Sequence, residues 1–400
     1  MVSAVARPYI DASVPVLREH GLTITATFYR NMFAAHPELS NIFNMGNQAS
    51  GVQQQSLAAA LFAYAANIDN AAALAPVATR IAHKHASVGI KEEHYPIVGR
   101  HLLGAIQEVL GDAATPALIS AWDEAYTELA TVLIAAEKAL YAQAETTPGQ
   151  LRDLRVTAIR TESEDIKSFV LESTNDQPVP EFKPGQYVSV SVTFSDGTTQ
   201  LRQYSLSDAP SAGHLTISVK REKADGDKLA GRVSNWMHEQ IVPGSILQLT
   251  HPFGDFNPDT ESDAPIVVLS AGVGITPMIS VLNRIAQTNP ERHVVFAHAA
   301  RGISHHAHRA DISAAKKIMP RLQTAIFYEE MSEEVNDDTI HSGRMEVAKL
   351  PAWPLGDTNV YLCGPTTFMQ TQWRALLEAG VPASRLHREV FGPELLDHLG

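Results

Sequence analysis

Apolar residues in the first 143 positions recur every three or four residues and glycines are few, which predicts helices throughout. The predicted helices cover residues 10–35, 52–68, 73–86, 94–110 and 116–143. Alanine marks the same region, since it accounts for 32 of the first 150 residues and 21 of the remaining 250. A short polar, turn-rich run follows. We therefore predict an all-α domain at 1–143 and a linker at 144–150.

The pattern then changes to alternating apolar and polar positions rich in β-branched residues. Residues 187–194 and 214–219 alternate as half-buried strands do, and Asp196-Gly197 is a turn signal between strands. We interpret residues 151–262 as a small antiparallel β-barrel domain.

A third pattern begins near Asp263. Residues 265–270 form a continuous apolar run, which is typical of a parallel strand buried on both faces. A glycine turn, a helical segment at 279–287 and further apolar strands at 294–297 and 359–363 follow. The sequence thus predicts an α/β domain with a parallel sheet at 263–400.

Composition excludes several classes of protein. Hydrophobic residues at 44% and charged residues at 19% are globular values, and the net charge of −13 disfavours a nucleic-acid partner. The longest strongly apolar stretch, 57–66, is too short to cross a membrane. One cysteine cannot form an internal disulfide, and no secretory signal is evident. We expect a cytoplasmic protein with no integral membrane association and no obligatory protein partner.

A candidate phosphate-binding turn lies between the first apolar strand of the third region and its helix. It reads Ala271, Gly272, Val273, Gly274, Ile275, Thr276 and Pro277. Two glycines allow close approach of the backbone, and we expect Thr276 to cap the helix and Pro277 to occupy its first position. The alternative is a purely structural turn.

No acidic residue directly follows the predicted second strand at 294–297, where a ribose hydroxyl would be held. Basic residues lie there instead, namely Arg301, His305, His306, His308 and Arg309. We interpret this cluster as a solvated basic loop, with a metal site as the alternative. The choice between NADH and NADPH stays open.

Further candidates for nucleotide binding surround the predicted barrel. Arg202, Gln203, Tyr204 and Ser205 follow one another and offer a charge for phosphate, an aromatic ring and a hydroxyl. Tyr187 precedes them, and the run from Gly231 to Ser234 is a second glycine–hydroxyl turn. Together with Cys363, Gly364 and Pro365, this set resembles the ferredoxin–NADP reductase superfamily. The resemblance implies FAD on the barrel and a nicotinamide nucleotide at 271–276 and 363–365.

The helical region has its own candidate chemistry. Glu137 lies on an apolar stripe of the 116–143 helix, where an ionised carboxylate is costly unless it is paired. It is a candidate acceptor for the ring N–H of a histidine that ligates haem iron, with His85 the foremost candidate. The alternative is a glutamate at the edge of the stripe. Tyr29 and Gln53, on other apolar faces, are candidate hydrogen-bond donors to dioxygen.

The motifs of both halves, in this order, resemble those of bacterial flavohaemoglobins across essentially the whole chain. They are Phe28-Tyr29, His36-Pro37, 41–45, Gln53, 84–87, 94–99, Glu137 and 388–393. The resemblance implies haem b, FAD and NAD(P)H as cofactors. It makes His85 the proximal iron ligand, held by Tyr95 and Glu137.

The same resemblance assigns the other site residues. It places Tyr29, Gln53 and Leu57 on the distal side of the haem and Phe43 against it. Lys84 and Glu389 lie between haem and flavin. The segment that contacts FAD comprises Glu389, Val390, Phe391, Gly392 and Pro393.

The activity that the resemblance implies is oxidation of nitric oxide by O2 to nitrate, with electrons from NAD(P)H through FAD. A reductase of O2, alkyl hydroperoxides or quinones uses the same electron path and is the alternative enzyme. A haem sensor or oxygen store is the alternative without catalysis, and the flavin and nucleotide motifs disfavour it.

Overall fold

The predicted order of an all-α region, an antiparallel sheet and a parallel α/β region is confirmed in the computed structural model. The structure describes residues 2–43, 48, 51–175, 177–211, 213–226, 229–331 and 337–392. Two compact units are present. The first contains residues up to 151 with 191–202 and Gly392, and the second contains 152–190 and 203–391.

The helices of the first unit match the predicted ones closely. They are α1 (Arg7–Ala35), α2 (Val52–Ala66), α3 (Ala71–Val88), α4 (His94–Leu110) and α5 (Pro116–Gln143). Their ends have physical causes. The Asn70 side chain accepts a hydrogen bond from the backbone N–H of Ala73 at the start of α3, and Thr115 does the same for Leu118 at the start of α5. Gly89 ends α3 in the left-handed conformation, at φ 77°.

An antiparallel sheet follows in the second region. Its strands are β1 (Arg152–Thr161), β2 (Ile166–Ser173), β3 (Tyr187–Thr193), β4 (Thr199–Ser205), β5 (Leu215–Lys220) and β6 (Ile246–Leu249), and α6 (Arg232–Gln240) lies between the last two. The strand order is β4-β3-β6-β1-β2-β5. The predicted antiparallel domain is confirmed, but its six strands form a sheet and not a closed barrel, because β4 and β5 stand at opposite edges of this order. An isolated bridge between Leu206 and Ile217 brings the two edges together at one point only.

The third region is a parallel sheet with helices. Its strands are β7 (Ile266–Ala271), β8 (Val294–Ala300), β9 (Leu322–Tyr328), β10 (Ile340–Ser342), β11 (Asn359–Cys363) and β12 (Leu386–Glu389), and its helices are α7 (Ile275–Thr288), α8 (Arg309–Ile318) and α9 (Thr366–Glu378). The strand order is β10-β9-β8-β7-β11-β12. From β7 the chain first builds the sheet towards β8, and β11 later adds on the other side of β7. The sheet therefore has a topological switch point between β7 and β11, where α/β proteins bind ligands.

The helical region and the parallel-sheet region bury separate apolar cores. In the first unit, Ile10, Ile24 and Met32 of α1 are fully buried against α2, α4 and α5. In the parallel sheet, Phe296 and Phe327 are fully buried on opposite sides of the strands. No described helix combines the length and the apolar character that a membrane crossing requires.

Close packing of α4 on α5 generates a first prediction. A Cβ atom at Gly99 would lie 2.6 Å from the Tyr126 ring, whereas one at Gly104, also on α4, would meet nothing within 4 Å. Gly99→Ala should therefore destabilise the helix pair by about 1–3 kcal/mol through overpacking. Gly104→Ala is the matched control and should stabilise α4 by about 0.5–1 kcal/mol. Hydrogen exchange of the α4 and α5 amides in the full chain measures both effects, and equal protection in the two variants would contradict the packing argument.

Candidate functional site

Three helices bring His85, Tyr95 and Glu137 together, as the sequence predicts. The Nδ1 atom of His85, on α3, lies 2.8 Å from Oε1 of Glu137 on α5 and 3.1 Å from the hydroxyl of Tyr95 on α4. The Tyr95 hydroxyl also donates to Oε1 of Glu137, at 2.5 Å. Glu137 is 3% exposed. The alternative of a glutamate at the edge of the stripe is therefore wrong.

These contacts fix the proton on the histidine ring. A carboxylate only accepts hydrogen bonds, so the Tyr95 proton is directed to Glu137 and the phenolic oxygen can only accept from His85. Burial raises the pKa of Tyr95, and its hydrogen bond to Glu137 and the charge of that carboxylate raise it further, so the phenol keeps its proton. Nδ1 of His85 therefore carries the hydrogen, which leaves the Nε2 lone pair available to a metal ion.

Two further tyrosines, for which the sequence pattern predicted no role, brace this group. Tyr126 donates to the backbone carbonyl of Tyr95, at 2.6 Å, and Tyr141 donates to that of Ile90, at 3.1 Å. Both lie on the stripe of α5 that carries Glu137, because Tyr126 precedes Glu137 by eleven residues, about three helical turns, and Tyr141 follows it by four. That spacing was the signal that could have found them.

Tyr29 occupies a buried position on α1, and its side chain is 5% exposed. Its ring contacts those of Phe33 and Phe43, each with centroids 5.8 Å away. Burial raises the pKa of Tyr29 to about 12, while hydrogen bonds with Gln53 and Gln48 lower it. Tyr29 and Gln53 are therefore neighbours, as predicted. The phenol of Tyr29 is protonated at physiological pH.

Gln48 is a polar neighbour of Tyr29 that sequence reasoning missed. It lies before α2, where no helical periodicity links it to the apolar faces. Its amide oxygen accepts a hydrogen bond from Gln54, at 3.1 Å, which leaves its buried amide nitrogen as the donor in the hydrogen bond with Tyr29. A buried amide donor beside a buried phenol fits a small polar ligand in this pocket.

The remaining predicted residues of the helical region have different surroundings. Leu57 and Phe43 are half-buried and pack on the same apolar cluster as Tyr29. Lys84 precedes His85 on α3, and its Nζ donates to the carbonyl oxygen of Gly392, 2.5 Å away. Asn44 and Met45, quoted among the family motifs, lie outside the described residues.

The nucleotide turn and the loop after β11 meet at the switch point of the parallel sheet. A Cβ atom at Gly274 would lie 2.4 Å from the carbonyl oxygen of Cys363 and 2.7 Å from the backbone nitrogen of Gly364. Only glycine allows this approach. The structure thereby brings together the two groups predicted for the nicotinamide nucleotide, 271–276 and 363–365.

One detail of the predicted turn is wrong. Residues Gly272–Gly274 form a short 3-10 turn and α7 begins at Ile275, so Thr276 is not the cap and Pro277 is not the first helical residue. The Thr276 hydroxyl instead donates to the carbonyl of Val273, at 3.0 Å. Helix α7 therefore begins directly after this tight turn, without the capping side chain that was expected from Thr276.

The residues predicted for FAD lie on the antiparallel sheet. Arg202, Gln203, Tyr204 and Ser205 form the second half of β4. Ser205 is buried and its hydroxyl oxygen has no hydrogen-bond partner. Tyr187, at the start of β3, pairs with Phe253 through two backbone hydrogen bonds of 2.8 and 2.9 Å.

Two more predicted groups lie at ends of elements. Gly231 precedes the first residue of α6, and Ser234 in its first turn donates to the Gly231 carbonyl, at 3.1 Å. Glu389 is the last residue of β12 and is buried, whereas the Phe391 side chain is 44% exposed. Val390 stands between them, and Pro393 lies outside the described residues.

The histidines after β8 are not a solvated loop. His306 and His308 are 4% and 2% exposed. His306 hydrogen-bonds through Nδ1 to the hydroxyl of Tyr328, at 2.7 Å, and its ring lies against His298 with centroids 4.7 Å apart. Burial lowers the pKa of His306 to about 3, so that ring is neutral. The basic-loop interpretation is therefore wrong for these two residues.

Models of three domain families match the chain in the predicted order. Residues 26–133 match the globin family, 153–257 the oxidoreductase FAD-binding domain and 268–373 the oxidoreductase NAD-binding domain. These families define an oxidoreductase that joins a globin to a flavin- and nicotinamide-dependent reductase. The predicted cofactors haem, FAD and NAD(P)H are confirmed at this level, while the domain boundaries stay predictions.

Curated relatives cover almost the whole chain. A protein described as flavohemoprotein from Chromobacterium violaceum is 47% identical over 98% of both chains, and one from Rhizobium meliloti is 46% identical over 99% of both. The crystal structure of a flavohemoglobin from Malassezia yamatoensis, with bound FAD and heme, is similar with a TM-score of 0.85. It is 29% identical and covers 98% of this chain and 100% of its own. The chain belongs to the flavohaemoprotein family.

A solved structure of the reductase part alone is also similar. The flavohem-like FAD/NAD-binding domain of a nitric oxide dioxygenase from Vibrio cholerae is 34% identical, with a TM-score of 0.56. It covers 60% of this chain and 99% of its own. This likeness supports the arrangement of the antiparallel and parallel sheets described above.

The contact between Gly274 and Cys363 generates a second prediction. Gly274→Ala forces the turn away from the β11 loop, because its Cβ would lie 2.4 Å from the carbonyl oxygen. Overpacking of about 1–3 kcal/mol should raise the Kd for NADH roughly fivefold to a hundredfold. The FAD content should not change.

Stopped-flow reduction of the flavin by NADH measures this effect. Gly356→Ala is the control, because a Cβ at Gly356 meets nothing within 4 Å. Unchanged NADH affinity in Gly274→Ala would remove this turn from the nucleotide site.

Proposed function

We propose that this chain is a nitric oxide dioxygenase that converts NO and O2 to nitrate with electrons from NAD(P)H. The observation that carries the proposal is the His85–Glu137–Tyr95 group, built in a globin domain that shares one chain with FAD- and NAD-binding oxidoreductase domains. The similar Vibrio cholerae protein is described as a nitric oxide dioxygenase, which supports the choice of reaction.

The reaction balances within this chain without a protein partner. Two NO and two O2 take two electrons from one NAD(P)H and give two nitrate ions, NAD(P)+ and one proton. When bound, FAD takes an electron pair as hydride and passes on single electrons, which haem accepts and uses to bind and activate O2. The residues of the chain hold these groups and control protons and polarity around them.

In this proposal His85 binds haem iron through Nε2. Glu137 accepts the Nδ1 proton, which keeps the ring oriented and makes the ligand nitrogen more electron-rich. Tyr95 holds the carboxylate in place from the side. These residues fit haem, because Nδ1 of His85 is bonded to Glu137 and the unprotonated Nε2 atom, on the other side of the ring, can bind iron.

Tyr29 forms the polar part of the distal pocket with Gln53 and Gln48. Dioxygen that receives an electron gains negative charge, and a positioned phenolic O–H stabilises that charge. Phe43 and Leu57 provide apolar walls that keep water out. An apolar pocket with a hydrogen-bond donor suits two small uncharged substrates.

The two sheets provide the reductase sites. Arg202 and Ser205 on β4, with Tyr187 and Tyr204, bind FAD, and the orphaned Ser205 hydroxyl fits a polar ligand atom. Gln203, Gly231, Ser234 and the segment from Glu389 onward complete this flavin site. The nicotinamide nucleotide occupies the switch point at 271–276 and 363–365.

Consumption of NO by the purified holoprotein tests the proposal. With NADH and air, nitrate should form with one NADH oxidised per two NO, and without O2 this stoichiometric nitrate formation should stop. NADH oxidation at an unchanged rate with and without NO, with peroxide as product, would favour the alternative of an O2 reductase. Turnover with alkyl hydroperoxides or quinones at higher kcat/KM than with NO would favour the other reductase alternatives.

A substitution at Tyr29 generates a third prediction. Tyr29→Phe keeps the ring packing against Phe33 and Phe43 and removes only the hydroxyl. Loss of one hydrogen bond of about 1–3 kcal/mol should make O2 dissociate roughly five- to a hundredfold faster from the reduced protein. Carbon monoxide gains less from a hydrogen bond, so its dissociation should change much less.

Stopped-flow dissociation of both gases measures the difference. Tyr64→Phe is the matched control, because the Tyr64 hydroxyl lies in the same apolar core but donates to the backbone carbonyl of Ala125, at 3.1 Å. An unchanged O2 off-rate in Tyr29→Phe would leave Tyr29 as a packing residue and make Gln53 the donor.

A further inference from the structure

Glu162, His308 and Asp311 form a polar cluster in the second unit that the proposed function does not use. Glu162 follows β1 of the antiparallel sheet, whereas His308 and Asp311 lie at the start of α8 in the parallel-sheet region. The Nδ1 atom of His308 lies 2.9 Å from Oδ2 of Asp311 and 3.9 Å from Oε2 of Glu162. One ligand atom from each residue lies within 4.8 Å of the other two.

The antiparallel sheet fixes the direction of the imidazole ring. The Nε2 atom of His308 is hydrogen-bonded to the Ser218 hydroxyl, at 2.9 Å. That hydroxyl is bonded in turn to those of Ser168 and Ser207, each at 2.7 Å. With Nε2 engaged on the sheet, Nδ1 is the nitrogen that faces both carboxylates.

The charge around this nitrogen calls for a cation. The side chains of His308 and Glu162 are 2% and 10% exposed, so a carboxylate without a counter-charge is costly there. Asp311 also accepts a hydrogen bond from the Asn283 amide, at 3.3 Å, so its carboxylate is held in place beside His308.

The donor atoms match the coordination that zinc prefers. Zinc binds histidine nitrogen and carboxylate oxygen at about 2.0–2.2 Å in a tetrahedron, which places neighbouring ligand atoms about 3.3 Å apart. The distances from Nδ1 of 2.9 and 3.9 Å lie on either side of that value. Asp311 is about a quarter exposed, so water can reach the fourth position.

We propose that Glu162, Nδ1 of His308 and Asp311 bind a divalent cation of the zinc class that joins the antiparallel sheet to the parallel-sheet region. Other polar contacts cross the same boundary nearby. Ser280 donates to the backbone carbonyl of Asp208, at 2.7 Å, and Asn283 donates to its carboxylate, at 2.9 Å. The cation adds a bond stronger than these hydrogen bonds, and it stabilises the arrangement of the two sheets.

Zinc uptake by the holoprotein tests this site. Chelator-treated protein is titrated with Zn2+ by calorimetry, and the metal retained after gel filtration is counted. Wild type should bind one zinc more than Glu162→Gln or His308→Asn, or bind that zinc at least tenfold more tightly. Asparagine suits position 308, because it tolerates the backbone φ of 60° found there.

His305→Asn is the matched control. Nε2 of His305 lies 3.9 Å from Glu164, a neighbouring histidine–carboxylate pair that belongs to no three-ligand group among the described residues. This variant should bind zinc as wild type does. Zinc should raise the temperature at which FAD is released in wild type and in His305→Asn, but not in Glu162→Gln.

Equal zinc binding by wild type and Glu162→Gln, or no zinc binding by wild type, would overturn the proposal. Glu162→Gln preserves the shape of the side chain, so the test stands even where His308→Asn folds poorly. Neither readout involves nitric oxide, and the outcome is therefore independent of the proposed dioxygenase activity.

Discussion

The hydrogen bond from His85 to Glu137 is the interaction on which the helical region depends. A carboxylate that is 3% exposed must be paired, and its partners come from two other helices. The requirement to satisfy Glu137 therefore sets the relative positions of α3, α4 and α5. The same bond determines which nitrogen of His85 is left for a metal ion, so one constraint serves both stability and ligand chemistry.

The reductase region depends on a different constraint, the close approach of two backbone segments. Gly274 lies so near the end of β11 that no side chain fits between them. The turn and the β11 loop consequently meet at the switch point of the sheet. Pyrophosphate recognition needs backbone N–H groups in this kind of arrangement.

Local patterns predicted most of this architecture. The spacing of apolar residues placed the helices within a few residues of their observed ends, and the carboxylate on an apolar stripe identified Glu137. Three features escaped because they depend on contacts that sequence spacing does not encode. Alternation predicts strands but not their order, so it predicted the antiparallel domain and not that its sheet stays open. Gln48 reaches Tyr29 from a segment without periodicity. His308 is buried because Ser218, ninety residues earlier, bonds it.

The two buried tyrosines of the helical region show how partners determine the use of a similar group. Burial raises the pKa of both Tyr29 and Tyr95, so both keep their protons. Tyr95 lies against a carboxylate that can only accept, and its proton is therefore committed to Glu137. Tyr29 lies among glutamine amides, which both donate and accept, so its O–H is free to turn towards a ligand. In the proposed reaction Tyr95 therefore positions His85 whereas Tyr29 donates to substrate, and the difference lies in their neighbours.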